Sequence, residues 1–145
     1  MKLRLNNPID KAKGIDYFKK LLDNGSFIEL RNIPKLRTNQ QNRYMHLLFA
    51  WFAIEYGENI PHVKQEVFKK VVNEPIFKTS YTNTKTGVIR VEWRSTASLD
   101  SKELTLAIDR FRNWSATNGI YLPMANEDEF LKHIEIEIEK HKEYI

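Results

Sequence analysis

The sequence predicts an α+β fold, a small mixed β-sheet packed against about five α-helices. Three observations predict it. Residues 2–31 read as strand, helix, strand. Residues 76–93 read as a β-hairpin, and most of the rest carries apolar residues at helical spacing between capping and stop signals. A chain of 145 residues makes one domain of ordinary size. We therefore read 1–145 as a single domain, with a basic body over 1–119 and an acidic helix near 126–143.

The elements follow in order. Leu3 and Leu5 alternate with Lys2 and Arg4, the pattern of a half-buried strand. Asn7-Pro8 then offers a helix cap with proline in the first turn. A helix over 9–23 gathers Phe18, Leu21 and Leu22 on one face and stops at Asn24-Gly25. Phe27, Ile28 and Leu30 make 26–31 a second strand, which completes a β-α-β unit. The second helix runs from Asn39 to Tyr56 and ends at Gly57. Apolar residues cover nearly its whole circumference, so it is central or buried on two sides. A third helix follows Pro61, with Val63, Val67, Phe68, Val71 and Val72 as its apolar face.

Ile76–Tyr81 and Val88–Trp93 form the two arms of the hairpin, joined by the polar stretch Thr82 to Gly87. Asp100 and Glu103 make a capping box for a fourth helix, which carries Leu104, Ala107, Ile108, Phe111 and Trp114 and stops at Asn118-Gly119. Asn126 and Glu129 suggest another capping box. The tail that follows alternates Ile134, Ile136 and Ile138 with glutamates, as a strand would, yet Phe130, Leu131, Ile134 and Ile138 also fit a helical stripe. The cap signal and the length of the run favour helix.

Composition excludes several function classes. There is no cysteine, which removes disulfides, iron–sulfur clusters, zinc knuckles and thiol catalysis. No apolar run approaches the ~18 residues of a membrane span, and the start lacks the apolar core of a signal peptide. A cytoplasmic setting in a bacterial host cell is expected. No phosphate loop, GxSxG, HExxH or calcium-loop motif is present. His133, Glu137 and His141 lie at i, i+4 and i+8 of the last helix. Three ligands spread over two turns cannot close on one ion unaided, so they read as a solvated face. His46 lies in an apolar helix and reads as packing. Neither a metal nor a cofactor is expected, and nothing points to an enzyme.

Charge is more informative. The net charge is +4, but residues 1–119 hold 20 Lys/Arg against 12 Asp/Glu, whereas residues 120–145 hold 3 against 7. A basic body suits an anionic partner. Single-stranded nucleic acid is held by cations on phosphates and by aromatics stacked on bases. Three clusters offer such groups. Lys35, Arg37, Gln41, Asn42 and Arg43 lie where the chain enters the second helix. Lys78, Tyr81, Lys85, Arg90 and Arg94 lie on the hairpin. Arg110, Arg112 and Trp114 lie on the fourth helix. For each cluster a plain solvated surface competes with a binding site, and Trp51 and Trp93 read as core.

The run Arg37-Thr38-Asn39-Gln40-Gln41-Asn42-Arg43, an R-[ST]-x-x-Q-N-R pattern entering a long aromatic helix, resembles the NinB family. The Lys2-Leu3 opening, the helix after Asn7-Pro8, the Phe68-Lys69 helix, Ser95-Thr96-Ala97-Ser98-Leu99 and the helix Lys102 to Thr117 before Asn118-Gly119-Ile120 agree in order. The likeness covers about residues 2–123. Residues 73–93 show little similarity and the acidic tail matches nothing in it. The resemblance implies a homodimeric α+β protein of phage or prophage origin that binds DNA, preferring single strands. It also implies a recombination mediator that helps a recombinase load on DNA covered by the host single-strand-binding protein. Arg37, Gln41, Asn42 and Arg43 carry over as motif positions only: Gln41 and Asn42 could instead bond backbone at the helix start, and Arg37 could bind a carboxylate.

Two other classes compete with the DNA-binding reading. One is a non-enzymatic interaction module that recruits a replication or recombination partner. The other is a metal-dependent nuclease. A further expectation concerns the acidic tail, which could fold over the basic surface and compete with DNA.

Overall fold

The structure, a computed structural model, describes residues 1–33 and 38–145. It is α+β, with helices and one two-stranded antiparallel sheet. By its internal contacts the chain divides into two units, residues 1–33 and 34–145.

The first unit is built on helix α1, Pro8–Asp23. Asn7 caps it as expected: its side chain accepts the Ile9 N–H at 2.9 Å, and Pro8 occupies the first turn, where a missing N–H costs nothing. The β-α-β opening does not form. Residues 2–6 are not a strand; the Asn7 N–H bonds Arg4 O at 2.9 Å and the Arg4 N–H bonds the Asp10 carboxylate at 3.0 Å, which turns the segment back toward α1. Leu3 lies against Gly14, where an added Cβ would stand 3.0 Å from Leu3 Cδ1. Among the described residues, 26–31 have no ladder partner either. The alternation that suggested strands reports only extended, half-apolar chain, and a ladder also needs a neighbour. Among the described residues the sheet is therefore antiparallel throughout, not mixed. No residue of α1 is buried, and Ile9, Ile15, Phe18, Leu22, Phe27 and Leu30 are all exposed.

The second unit is built around α2, Asn39–Tyr56, with the bounds its sequence predicts. Thr38 and Gln41 form its capping box, and Gly57 ends it at φ 82°, a conformation open to glycine. Leu48, Phe49 and Phe52 are fully buried, as a helix apolar on nearly all sides requires. Around it lie α5, Ser101–Thr117, and α6, Asp128–His141. The five rings of Phe49, Phe52, Phe68, Phe77 and Phe111 form the centre; Phe68 is 4.8 Å from Phe49, 5.4 Å from Phe111 and 5.6 Å from Phe77 between centroids. The predicted capping box of α5 is present, with Asp100 accepting the Glu103 N–H at 2.8 Å. That of α6 is absent. Glu127 flanks this helix without capping it, because its carboxylate takes the Met124 N–H and the Tyr121 hydroxyl. The tail is nonetheless a helix, and its Ile134 is fully buried.

The segment after Pro61 departs most from expectation. One turn of helix, α3 (Ile60–His62), runs into a ten-residue π-helix, Val63–Val72. π-Helices are rare and usually a single turn. Here the burial pattern follows the i→i+5 bonding: Val63, Phe68 and Asn73 are all fully enclosed, and Val67 and Val72 form a second buried pair at the same spacing. Read as α-helix, the sequence placed Val71 inside. It is 61% exposed, and Lys69 is buried instead. Asn73 ends the π-helix, its backbone N–H on Phe68 O at 3.1 Å and its Nδ2 donating to Phe68 O and Ala107 O.

The hairpin follows the short helix α4, Glu74–Phe77. Strands β1 (Lys78–Thr82) and β2 (Ile89–Trp93) pair Lys78 with Trp93, Ser80 with Val91 and Tyr81 with Arg90. Ile76 and Phe77, predicted as strand, belong to α4, and Phe77 joins the core.

Candidate nucleic-acid interface

The hairpin is an arm. Every residue of β1 is exposed, as are all of β2 except Trp93 at its root. Its loop is closed by Asn83, whose N–H bonds Val88 O at 2.8 Å and whose side chain accepts the Lys85 and Thr86 N–H groups. Gly87 supplies the positive φ, 71°, that lets the chain re-enter β2. Lys85 thus stands in the loop at the tip. Along one face the cross-strand pair Tyr81 and Arg90 is in contact, the guanidinium carbon 5.6 Å from the ring centre. Arg90 also meets Glu92 at 2.8 Å. On the other face Ile89 and Val91 remain exposed.

The root of the arm is held firmly. The Arg94 N–H donates to Phe77 O at 2.8 Å. The Arg94 guanidinium donates to Ile76 O, to Ser98 O and Oγ, and to Glu103 at 2.7 Å. Its hydrogen bond holds the Glu103 carboxyl below its ordinary range, and Glu103 in turn raises the arginine. Lys78 pairs with Glu74 at 3.1 Å. Of the hairpin group, then, Tyr81 and Arg90 share one face of the arm, Lys78 lies at its base on the other face, Lys85 lies in its loop, and Arg94 is turned to its root.

The helix-start group is divided. Lys35 and Arg37 lie outside the described residues. Gln41 is engaged in structure: its Oε1 accepts the Thr38 N–H and the Ser101 hydroxyl, and its Nε2 donates to Ser101 O and Thr105 Oγ1. That ties the start of α2 to the start of α5. Asn42 is half-buried. Arg43 is exposed and pairs with Glu135 of α6. The pair stands over a groove of about 580 Å³ between α2 and α6, whose lining includes Gln40, Tyr44, Asp128 and Lys132. Tyr44 donates to Pro123 O at 2.5 Å, and burial pushes its hydroxyl up to about 12.

The third group points to backbone. Arg110 donates to Val72 O and Arg112 to Leu122 O, while Trp114 packs against Phe52. His133 is exposed, its ring edge-on to Trp51 at 5.7 Å and to Phe130 at 6.2 Å, and His141 turns to Glu137. The three clusters are therefore unequal. Among the described residues only the hairpin brings several cations and an aromatic together on an exposed element.

The reading from sequence passed over Lys64, Lys69 and Lys70. Lys70 Nζ lies 5.9 Å from the Trp93 ring centre and Lys69 Nζ lies 5.8 Å from that of Phe77. Both therefore sit at the root of the arm. The signal was present as the five-residue spacing of Val63, Phe68 and Asn73, but no α-helical template detects it.

No protein-family model and no curated protein matches the chain. A solved structure described as NinB, from structural genomics, aligns with 96% of this chain and 97% of its own, at 15% sequence identity and a TM-score of 0.46. No helix among the described residues is long and apolar enough to cross a membrane.

Proposed function

We propose that this protein is a non-enzymatic accessory factor that binds single-stranded DNA in recombination. The observation that carries this reading is the exposed hairpin arm, with Tyr81 against Arg90 on one face and Lys78 and Lys85 at root and tip. Cations along an extended element neutralise phosphates, and an exposed ring gives a base a surface to stack on. Such contacts read no sequence, which suits a factor acting on any single strand.

The finer role, a mediator that helps a recombinase load where single-strand-binding protein covers the strand, draws on the R-[ST]-x-x-Q-N-R resemblance at Arg37 to Arg43. A homodimer fits the apolar residues left exposed in residues 1–33, since so short a unit cannot build a sufficient core from its own side chains. The test is binding of a labelled single-stranded oligonucleotide by the full chain, beside variants Tyr81→Ala and Arg90→Ala. Binding that weakens in both variants supports the reading. Equal binding by all three removes the arm from it.

A further inference from the structure

Among the described residues Lys69 is the one charged residue that is buried, at 7% exposure. Its neighbours should supply an acid, and they do not. The two carboxylates nearest in sequence, Glu66 and Glu74, are taken by Lys70 and Lys78, each at 3.1 Å. The charge that bears on Lys69 is another cation, Lys64. The π-helix brings this about, because its i→i+5 register puts Lys64 and Lys69 in line, as it does Val63 and Phe68. Burial first, and Lys64 second, lower the Lys69 ammonium below its ordinary range.

The ammonium still reaches the surface. Among the described residues the only fully enclosed side-chain nitrogen or oxygen lacking a hydrogen-bond partner is Asn73 Oδ1. Lys69 therefore runs its stem through the core edge and carries its ammonium to the surface over the Phe77 ring, five residues along the π-helix from Lys64. Two like charges on one line of the π-helix, one of them partly desolvated and neither in a salt bridge among the described residues, repel each other. An anion between them relieves both costs at once. Phe77 directly precedes β1, so the Lys69 ammonium stands where the arm leaves the body.

We propose that Lys64 and Lys69 form an anion site at the root of the hairpin that takes a phosphate of a nucleic-acid strand lying along the arm. The identity of the ligand rests on the DNA-binding reading; the anion site does not. The site adds a fixed phosphate contact to the stacking surface at Tyr81. It also accounts for a buried, unpaired lysine that simple packing would replace with methionine.

The test uses the full chain with lysine ε-CH₂ groups observed by NMR. Inorganic pyrophosphate is titrated at constant ionic strength. The site predicts saturable shifts confined to Lys64 and Lys69, and a Lys69 titration moved upward toward the ordinary lysine range by the bound anion. A lysine that only snorkels gives small, unsaturable shifts shared by all surface lysines, and that result overturns the site. Lys69→Met keeps length and apolar packing. Lys64→Gln changes a half-buried side chain and serves as the independent variant. Each should abolish the saturable response. On single-stranded DNA each should reduce the slope of log affinity against log salt by about 0.7, the loss of one phosphate contact on a single strand. DNA binding with an unchanged slope in both variants overturns the site and leaves the DNA reading standing. Saturable pyrophosphate binding in a protein that binds no DNA overturns the DNA reading and the assignment of the phosphate to a strand.

Discussion

Arg94, the residue that follows β2, meets Glu103 of α5 at 2.7 Å, and the same carboxylate accepts the Asp100 N–H in the capping box of α5. One glutamate thus fixes both the root of the arm and the start of a core helix. Arg94 spends its remaining donors on Ile76 O and Ser98. The arm can be exposed and yet held in direction, because its constraint lies at its base.

Arg94→Ala should therefore act on stability. Losing charge-assisted bonds and leaving Ile76 O without its donor costs about 2 kcal/mol. Denaturant unfolding measures it, and a cost below ~0.5 kcal/mol would show the clamp to be incidental.

The Arg94–Glu103 pair also sets a pH dependence. Glu103 is lowered by its hydrogen bond from Arg94, so its folded value lies below the ordinary 4.5. Its contribution is complete above that ordinary value and is lost as pH falls through the lowered folded one. Unfolding midpoints should drop below about pH 4.5, and Glu103→Gln should flatten that drop while lowering stability at pH 7. An unchanged acid limb in the variant would contradict the assignment.

Gln41→Ala should cost about 1–2 kcal/mol, since one side chain completes the capping box of α2 and bridges to Ser101 and Thr105. Affinity for DNA should stay within about twofold where the variant is folded. A large loss of affinity without a loss of stability would instead make Gln41 a contact residue.

Much of the second unit is legible in the sequence, and the reasons are local. Apolar residues on almost every side of Asn39–Tyr56, with Gly57 after it, specify a central helix and its end. Asp100 and Glu103 announce α5, and the alternation of Ile89, Val91 and Trp93 announces β2, although it does not tell that Ile89 and Val91 stay exposed. What was not legible depends on partners or on an unusual pitch. Residues 2–6 and 26–31 have strand composition, but alternation does not say whether a neighbour exists. Val71 and Lys69 exchange inside and outside because the helix after Pro61 widens to π spacing. Arg94 and Gln41 look like surface cations and amides in sequence, yet their hydrogen bonds join segments up to 64 residues apart.

Glu135→Gln tests the competition expected of the acidic tail. Its pair with Arg43 is largely exposed, 72% and 40% for the two side chains, so stability should change by less than about 1 kcal/mol. Single-stranded DNA should bind modestly tighter once Arg43 is freed. Removal of the whole segment is the poorer test, because Ile134 is fully buried and its loss would disturb the fold.

Binding of a single strand by the arm is read by fluorescence anisotropy with a labelled oligo-thymidine. The full chain is titrated at ~50 and ~200 mM salt, beside Tyr81→Ala. Binding should be present at low salt and weaken steeply at the higher concentration, with Tyr81→Ala costing about 1–3 kcal/mol for one lost base stack and leaving the unfolding midpoint unchanged. No binding by the native chain at ~50 mM salt, the condition that most favours phosphate contacts, would contradict it.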